Sequence, residues 1–370
     1  MSRLVFMDNL RVFLTVLVVA HHAAQPYGPT GGDWPIFNPE RAAILGPFFA
    51  VNAAFFMGLF FFISGYFLPG AGDRKGTSQL LLDRLRRLGI PVLFFVLVVF
   101  PPILYILAAP SESFLSFWVQ TYLGQFELEF AHLWFLMHLI AYAALYALWR
   151  RFVRRQQLPV LPPPNHGWIV AYVLLLSAVT FGVRIQYPID RWINLLGILP
   201  TEIAHFPQYS SLFVLGILSY RQDWVRQMPI SRGLIWLSIG CGAGLLRYLY
   251  SMSQSTLGLT RLIATGGWDW RALLWSFWEA TICVGLCLGL LVLFRERINF
   301  QGRLLRSLSQ NAYAVYLSHL VIILYLQFNI ADLAVGPLVK FGLVTIIGTP
   351  LCFGVSVLLR QLPFVRIVVA

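Results

Sequence analysis

Arg11 and His22 stand eleven positions apart in an almost wholly apolar run, Asp8-Asn9-Leu10-Arg11-Val12-Phe13-Leu14-Thr15-Val16-Leu17-Val18-Val19-Ala20-His21-His22. At roughly 100° per residue, that spacing is about three turns plus 20°, so a helix here carries the cation and the imidazole on one face. The rise between them is roughly 16 Å, about half the hydrocarbon thickness of a bilayer. Ionisable groups at such depth are costly, and they face a protein interior or a wet cavity. His21 points about 100° away from His22 and need not share its role. Two readings stay open from spacing alone: a functional imidazole, or one that merely hydrogen-bonds a neighbouring helix. A second deep histidine, His319, closes Asn311-Ala312-Tyr313-Ala314-Val315-Tyr316-Leu317-Ser318-His319. Tyr316 lies one turn before it on the same side. His22 and His319 thus approach a common depth from different helices.

Other polar residues in apolar surroundings each carry a plain and a chemical reading. Ser64 and Tyr66 lie in Phe62-Ile63-Ser64-Gly65-Tyr66, on a helix that descends to the level of Arg11. No local base makes Ser64 a nucleophile, and the plain reading is a small residue at a helix contact. Gly65 permits close backbone approach there. Arg84, Arg86 and Arg87, in Arg84-Leu85-Arg86-Arg87-Leu88-Gly89-Ile90-Pro91, are either phosphate ligands or an anchor at the cytoplasmic surface. Trp134 is an interfacial anchor or a wall of an acceptor pocket. Glu279, about two turns inside its helix, needs a partner: Arg247 or Arg271, or a histidine that it orients. No HExxH, phosphate loop or GxGxxG accompanies these residues, and no metal site is indicated. Cys241, Cys283, Cys287 and Cys352 all fall in apolar segments without CxxC spacing, which suits helix packing.

The elements that position these residues are membrane helices. Of the 370 residues, 58% are hydrophobic and only 11% charged, with mean hydropathy +0.73. Soluble domains carry roughly 25% charged residues. The net charge of +12 does not point to nucleic acid, because the cations sit in short clusters between apolar runs. Ten spans are expected, near 9–26, 47–69, 88–109, 130–149, 168–183, 205–220, 233–250, 271–294, 311–331 and 336–358. Arginine clusters follow the second, fourth, sixth and eighth spans: Arg74 to Arg87, Arg150 to Arg155, Arg221 to Arg232, and Arg295 to Arg306. The remaining connections are poor in cations, which places both termini in the cytoplasm. The loop near 27–46, rich in proline and glycine, caps the outer face. Residues 158–166 are a proline-rich cytoplasmic linker. Arg11 and the two histidines argue for a retained first helix over a cleaved signal peptide. The expected fold is therefore an all-α polytopic membrane protein of about ten helices, a single domain over residues 1–370.

Taken in order along the chain, the Arg11-to-His22 spacing, Phe62 to Tyr66, Arg84 to Pro91, Leu133-Trp134-Phe135, Phe213-Val214-Leu215-Gly216 and Tyr313…Tyr316…His319 resemble acyltransferase family 3, a family of integral-membrane acyltransferases. The resemblance covers nearly the whole chain, with no appended soluble acyltransferase domain. It extends somewhat to the branch that includes glucan-modifying succinyltransferases. It implies transfer of an acyl group, acetyl or succinyl, from acyl-coenzyme A to a hydroxyl of a carbohydrate or other cell-envelope acceptor. The setting it implies is the cell membrane, in bacteria the inner one. On this resemblance His22 is the general base, an imidazole of ordinary pKa about 6.5. Arg11 serves donor binding or a hydrogen-bond chain ending at the site. Arg84, Arg86 and Arg87 hold coenzyme A phosphates, and the pantetheine arm passes Ser64 and Tyr66. Tyr316, His319 and Glu279 orient the base or, with Trp134, bind the acceptor. No permanently bound cofactor is implied; the partners are acyl-coenzyme A, the acceptor and the bilayer, and the oligomeric state stays open. The alternative class is a proton-coupled transporter or flippase of an envelope precursor, in which the deep His, Arg and Glu relay protons.

Overall fold

The computed structural model describes residues 4–29, 34–152, 159–254, 257–258 and 266–369. The cations Arg154 and Arg155, which enter the loop pattern above, lie outside them, as does Asp33 in the loop near 27–46. The structure is 77% helical, an all-α multi-pass membrane protein. Ten principal helices match the expected spans in order: α1 (Val5–Ala24), α2 (Leu45–Lys75), α3 (Thr77–Ala108), α4 (Trp134–Phe152), α5 (His166–Arg184), α6 (Phe206–Arg221), α7 (Ile230–Ser253), α8 (Trp270–Arg297), α9 (Arg303–Asn329) and α10 (Pro337–Leu359). Among the described residues, nine helices are long and apolar enough to cross a membrane, and α6 is not one of them. Its 16 residues rise roughly 24 Å, short of the roughly 30 Å of hydrocarbon. A tight turn, Ile203–His205, and Pro207 set where it begins.

The third span starts well before residue 88. Gly76, at φ +78°, breaks α2 from α3, a backbone that glycine adopts without strain. The charged stretch that follows reads as a loop by hydropathy yet is helical. Lys75 and Gln79 both bond Asp83 along it. Two wide i→i+5 turns interrupt α3, at Leu85–Gly89 and Phe95–Val99. Pro91 lacks a donor for the carbonyl four residues back, and its ring clashes with that carbonyl in a regular helix. A widened turn just before the proline relieves this.

Two compact units are present. The first comprises Met1–Gly70, Leu158–Trp192 and Glu202–Leu359, the second Ala71–Gln157, Ile193–Thr201 and Arg360–Ala370. In the first, α8 is buried along most of its length and packs on α1, α5 and α7. The α7–α8 seam is made of small residues. A Cβ on Gly285 would lie 2.8 Å from the Gly240 backbone, so the two helices touch main chain to main chain. Helix α1 packs on α9 and α10 through Val12, Val19 and Ala23 against Val315, Ile323, Val344 and Phe353. Asn9 fixes its other end, donating to the carbonyls of Ile298 (2.7 Å) and Phe300 (2.9 Å). In the second unit the first turns of α3 pack on α4, Arg150 pairs with Asp73 at 3.0 Å, and the C-terminal helix Pro363–Val369 packs on the turn Leu85–Gly89. A short hairpin, β1 (Trp192–Leu195) and β2 (Leu199–Glu202), joins α5 to α6.

The alternating arginine clusters carry an expected topology. With Cys241 replaced by serine, a cysteine at Phe152 should resist a membrane-impermeant thiol reagent applied from outside the cell. One at Trp268, which is exposed, should react. The opposite labelling pattern would invert the orientation.

Candidate active site

The first site is built where α1 meets α9. Helix α1 runs from Val5 to Ala24, so His22 falls in its last turn. Helical side chains tilt toward the N-terminus, and His22 follows that rule: its Nδ1 lies 3.0 Å from the Val18 carbonyl one turn back. Its ring meets that of His319, with Nδ1 3.1 Å from His319 Nε2 and the ring centroids 4.9 Å apart. His319 is fully buried, whereas His22 is partly exposed.

The contacts determine the tautomers. His319 Nδ1 lies 2.7 Å from the carbonyl of Tyr316. Only an N–H can partner a carbonyl, so in neutral His319 the proton sits on Nδ1 and Nε2 offers a lone pair. The same argument at Val18 puts the proton of neutral His22 on Nδ1, shared between the carbonyl and His319 Nε2. His22 Nε2 then carries the basic lone pair.

Gln327 and Trp34 close the site from the loop side. Gln327 is fully buried and donates to the His22 carbonyl at 2.9 Å, which also accepts from the Gln25 amide at the end of α1. Its oxygen accepts from Trp34 Nε1 at 2.9 Å. The Trp34 ring stacks on His22, with centroids 5.7 Å apart at 25°. His21 points elsewhere, as its spacing requires, into Phe48, Phe49 and Phe56.

Arg11 bonds Asp8 at 3.3 Å, and its guanidinium sits 4.7 Å over the ring of Phe67. It is therefore level with Tyr66 on α2. Tyr66 is buried edge-on against Tyr220 of α6. Ser64, half-buried, immediately precedes Gly65 on α2. A Cβ on Gly65 would strike the Phe213 backbone, and one on Gly216 would strike that of Phe62. The close approach anticipated for Gly65 is thus the α2–α6 crossing.

Glu279 belongs to a different cluster. Its partner is neither Arg247, which lies over Trp275, nor Arg271, which bonds Asp269. It is Arg184, at the end of α5, with Nη1 2.5 Å from Glu279 Oε2. His205 stands between two carboxylates: Nε2 is 2.7 Å from Glu279 Oε1 and Nδ1 is 2.7 Å from Glu202 Oε2. Tyr209 stacks on its ring. Burial alone would push the Glu202 carboxyl up, but His205 and the Asp190 amide hold it below the ordinary carboxylate value. Arg184 is 1% exposed, and its Nε and Nη2 have no protein partner among the described residues. Spacing on one helix does not reveal this cluster, because Arg184 and His205 sit at helix ends, where charges usually face water.

The remaining candidates lie in the second unit. Arg86 and Arg87 are exposed on the wide turn of α3, and Arg84 is half-buried just before it. Trp134 opens α4 and packs edge-on against His138. His138 went unnoticed in the sequence; its Nδ1 reaches the Trp134 carbonyl and its Nε2 lies 3.2 Å from Thr201.

Among curated proteins none matches this chain. The profile of the acyltransferase 3 family, described as an acyltransferase domain, matches residues 4–360 and so runs through both units. A match over nearly the whole length makes the chain a member of that family, and the protein a multi-pass membrane acyltransferase.

Proposed function

We propose that the protein transfers an acyl group from acyl-coenzyme A to a hydroxyl of a carbohydrate or other envelope acceptor, with His22 as general base. The observation that carries this reading is the His22–His319 contact, with a tautomer that leaves His22 Nε2 basic. The acceptor oxygen forms a bond to the thioester carbonyl carbon as its proton passes to His22 Nε2. The tetrahedral intermediate then expels the coenzyme A thiolate, the C–S bond breaks, and the thiolate takes the proton from His22. While His22 is an imidazolium, its Nδ1–H faces the lone pair of His319. That is the orienting role a carboxylate plays in other triads. His319, anchored on the Tyr316 carbonyl, is on this reading a positioning residue. Trp34 and Gln327 shield the ring from water, which protects the thioester from hydrolysis.

Arg11 is assigned to the donor, beside Tyr66 and Ser64, which line the path of the pantetheine arm. Trp134 and Tyr316 are assigned to the acceptor. Glu279, held by Arg184 and His205, is assigned to shaping the bundle and not to proton transfer at His22. Purified protein given labelled acetyl- or succinyl-coenzyme A should release coenzyme A thiol and label envelope glycan. Movement of acceptor across vesicles with no acylation would instead establish the transporter reading.

Arg84, Arg86 and Arg87 are assigned to the coenzyme A phosphates, where guanidinium groups bind bidentately. The wide turn that carries Arg86 and Arg87 is of a kind frequent at functional sites. Changing Arg86 and Arg87 together to alanine should raise the donor KM with little change in kcat. Their contacts exist in the ground state and the transition state alike. Donor affinity should also lose part of its salt dependence. Unchanged donor binding would leave these arginines as surface anchors.

A further inference from the structure

A cavity of about 650 Å³ lies within the first unit, among α2, α5, α6 and α8. Its walls are apolar and themselves mostly buried: Phe62, Ile169, Leu212, Val284, Cys287 and Leu291. Walls of this kind offer water few of the two to four polar partners it needs. Along α8 the lining runs from Val284 to Val292, roughly 12 Å of rise. One leaflet of hydrocarbon is roughly 15 Å deep, so the cavity has about the depth of a single lipid chain. It reaches the surface at Trp168 and Leu161, both exposed.

The rim is built by polar side chains. The proline-rich segment at 159–164 is a strap across the opening, tied down through its backbone. Gln222 bonds the Leu161 amide (2.8 Å) and the Pro159 carbonyl (3.0 Å). Trp224 Nε1 donates to the Leu161 carbonyl at 3.0 Å. Arg232 Nη1 donates to the carbonyls of Pro164 (2.7 Å) and Pro163 (3.3 Å). Arg295 bonds the carbonyls of Val225, Arg226 and Met228 and so orders the segment that follows Trp224 beside the strap. Arg232 lines the cavity, and its Nε has no protein partner among the described residues. The site therefore joins a dry slot of leaflet depth to a cation with an unused donor at the arginine-rich end of the helices.

We propose that this cavity holds one acyl chain of an anionic membrane phospholipid, with the headgroup beside Arg232 and the chain between α5, α6 and α8. The site is separate from the His22–His319 pair and does not depend on the acyl donor assigned above. The test uses the full chain in vesicles containing phosphatidylglycerol with a diazirine in one acyl chain, irradiated and mapped by peptide mass spectrometry. Adducts are expected on the buried residues Leu212, Val284 and Cys287. The matching phosphatidylcholine probe should label them roughly tenfold less, as loss of one charge-assisted contact implies. Arg232→Gln, which keeps a donor for the strap, should bring phosphatidylglycerol down to that level, and Arg232→Lys should restore it. A cavity-filling Val284→Trp should abolish the adducts; Arg232→Gln keeps the test open where that variant does not fold. Labelling confined to outward-facing residues such as Leu174 and Leu175 would overturn the proposal. So would equal labelling by the two headgroups, or displacement of the probe by acyl-coenzyme A.

Discussion

His22→Ala should lower the rate of acyl transfer roughly 10²–10⁴-fold, the usual loss when a general base is removed, while the protein still inserts and binds donor. The expectation rests on His22 Nε2, which carries the basic lone pair once the Val18 and Tyr316 carbonyls have fixed the two Nδ1–H groups. His21→Ala is the control. Its ring sits among Phe48, Phe49 and Phe56, so its loss should disturb packing more than turnover. Donor binding and yield of folded protein are measured beside activity, because either truncation can loosen the end of α1. An inactive His21→Ala with an active His22→Ala would mean that the other face of α1 does the chemistry. Full activity in both would remove the base from α1 and make His319 the next candidate.

The largest loss of stability is expected for Arg184→Ala. Arg184 and Glu279 are 1% and 5% exposed at their side chains and pair at 2.5 Å. Taking away one partner leaves a carboxylate in a low-dielectric interior, which typically costs about 3–5 kcal/mol. His205 stays beside Glu279 and keeps some compensation, so the lower part of that range is expected. Arg184→Met combined with Glu279→Leu removes both charges together and should cost less than Arg184→Ala alone. Reversible denaturation in mixed micelles measures all three. If Arg184→Ala falls within roughly 0.5 kcal/mol of the parent, the value of a surface substitution, the cluster is solvated and holds nothing together.

The membrane architecture was determined by local sequence. Apolar runs of sufficient length leave backbone groups no partners but their own helix in lipid, so α1 to α10 appear in the expected order. The divergent aims of His21 and His22, about 100° apart, follow from helix period alone. Tertiary structure decided the rest. The Gly65–Gly216 crossing was half legible, since glycine in an apolar helix announces close approach without naming the partner. Trp34 and Gln327 meet His22 from 12 and 305 positions away, and Glu279 finds Arg184 across 95. Nothing periodic links such residues. A buried polar group is satisfied by whichever partner the packed helices bring within hydrogen-bond distance, and that choice is made only once the helices are side by side.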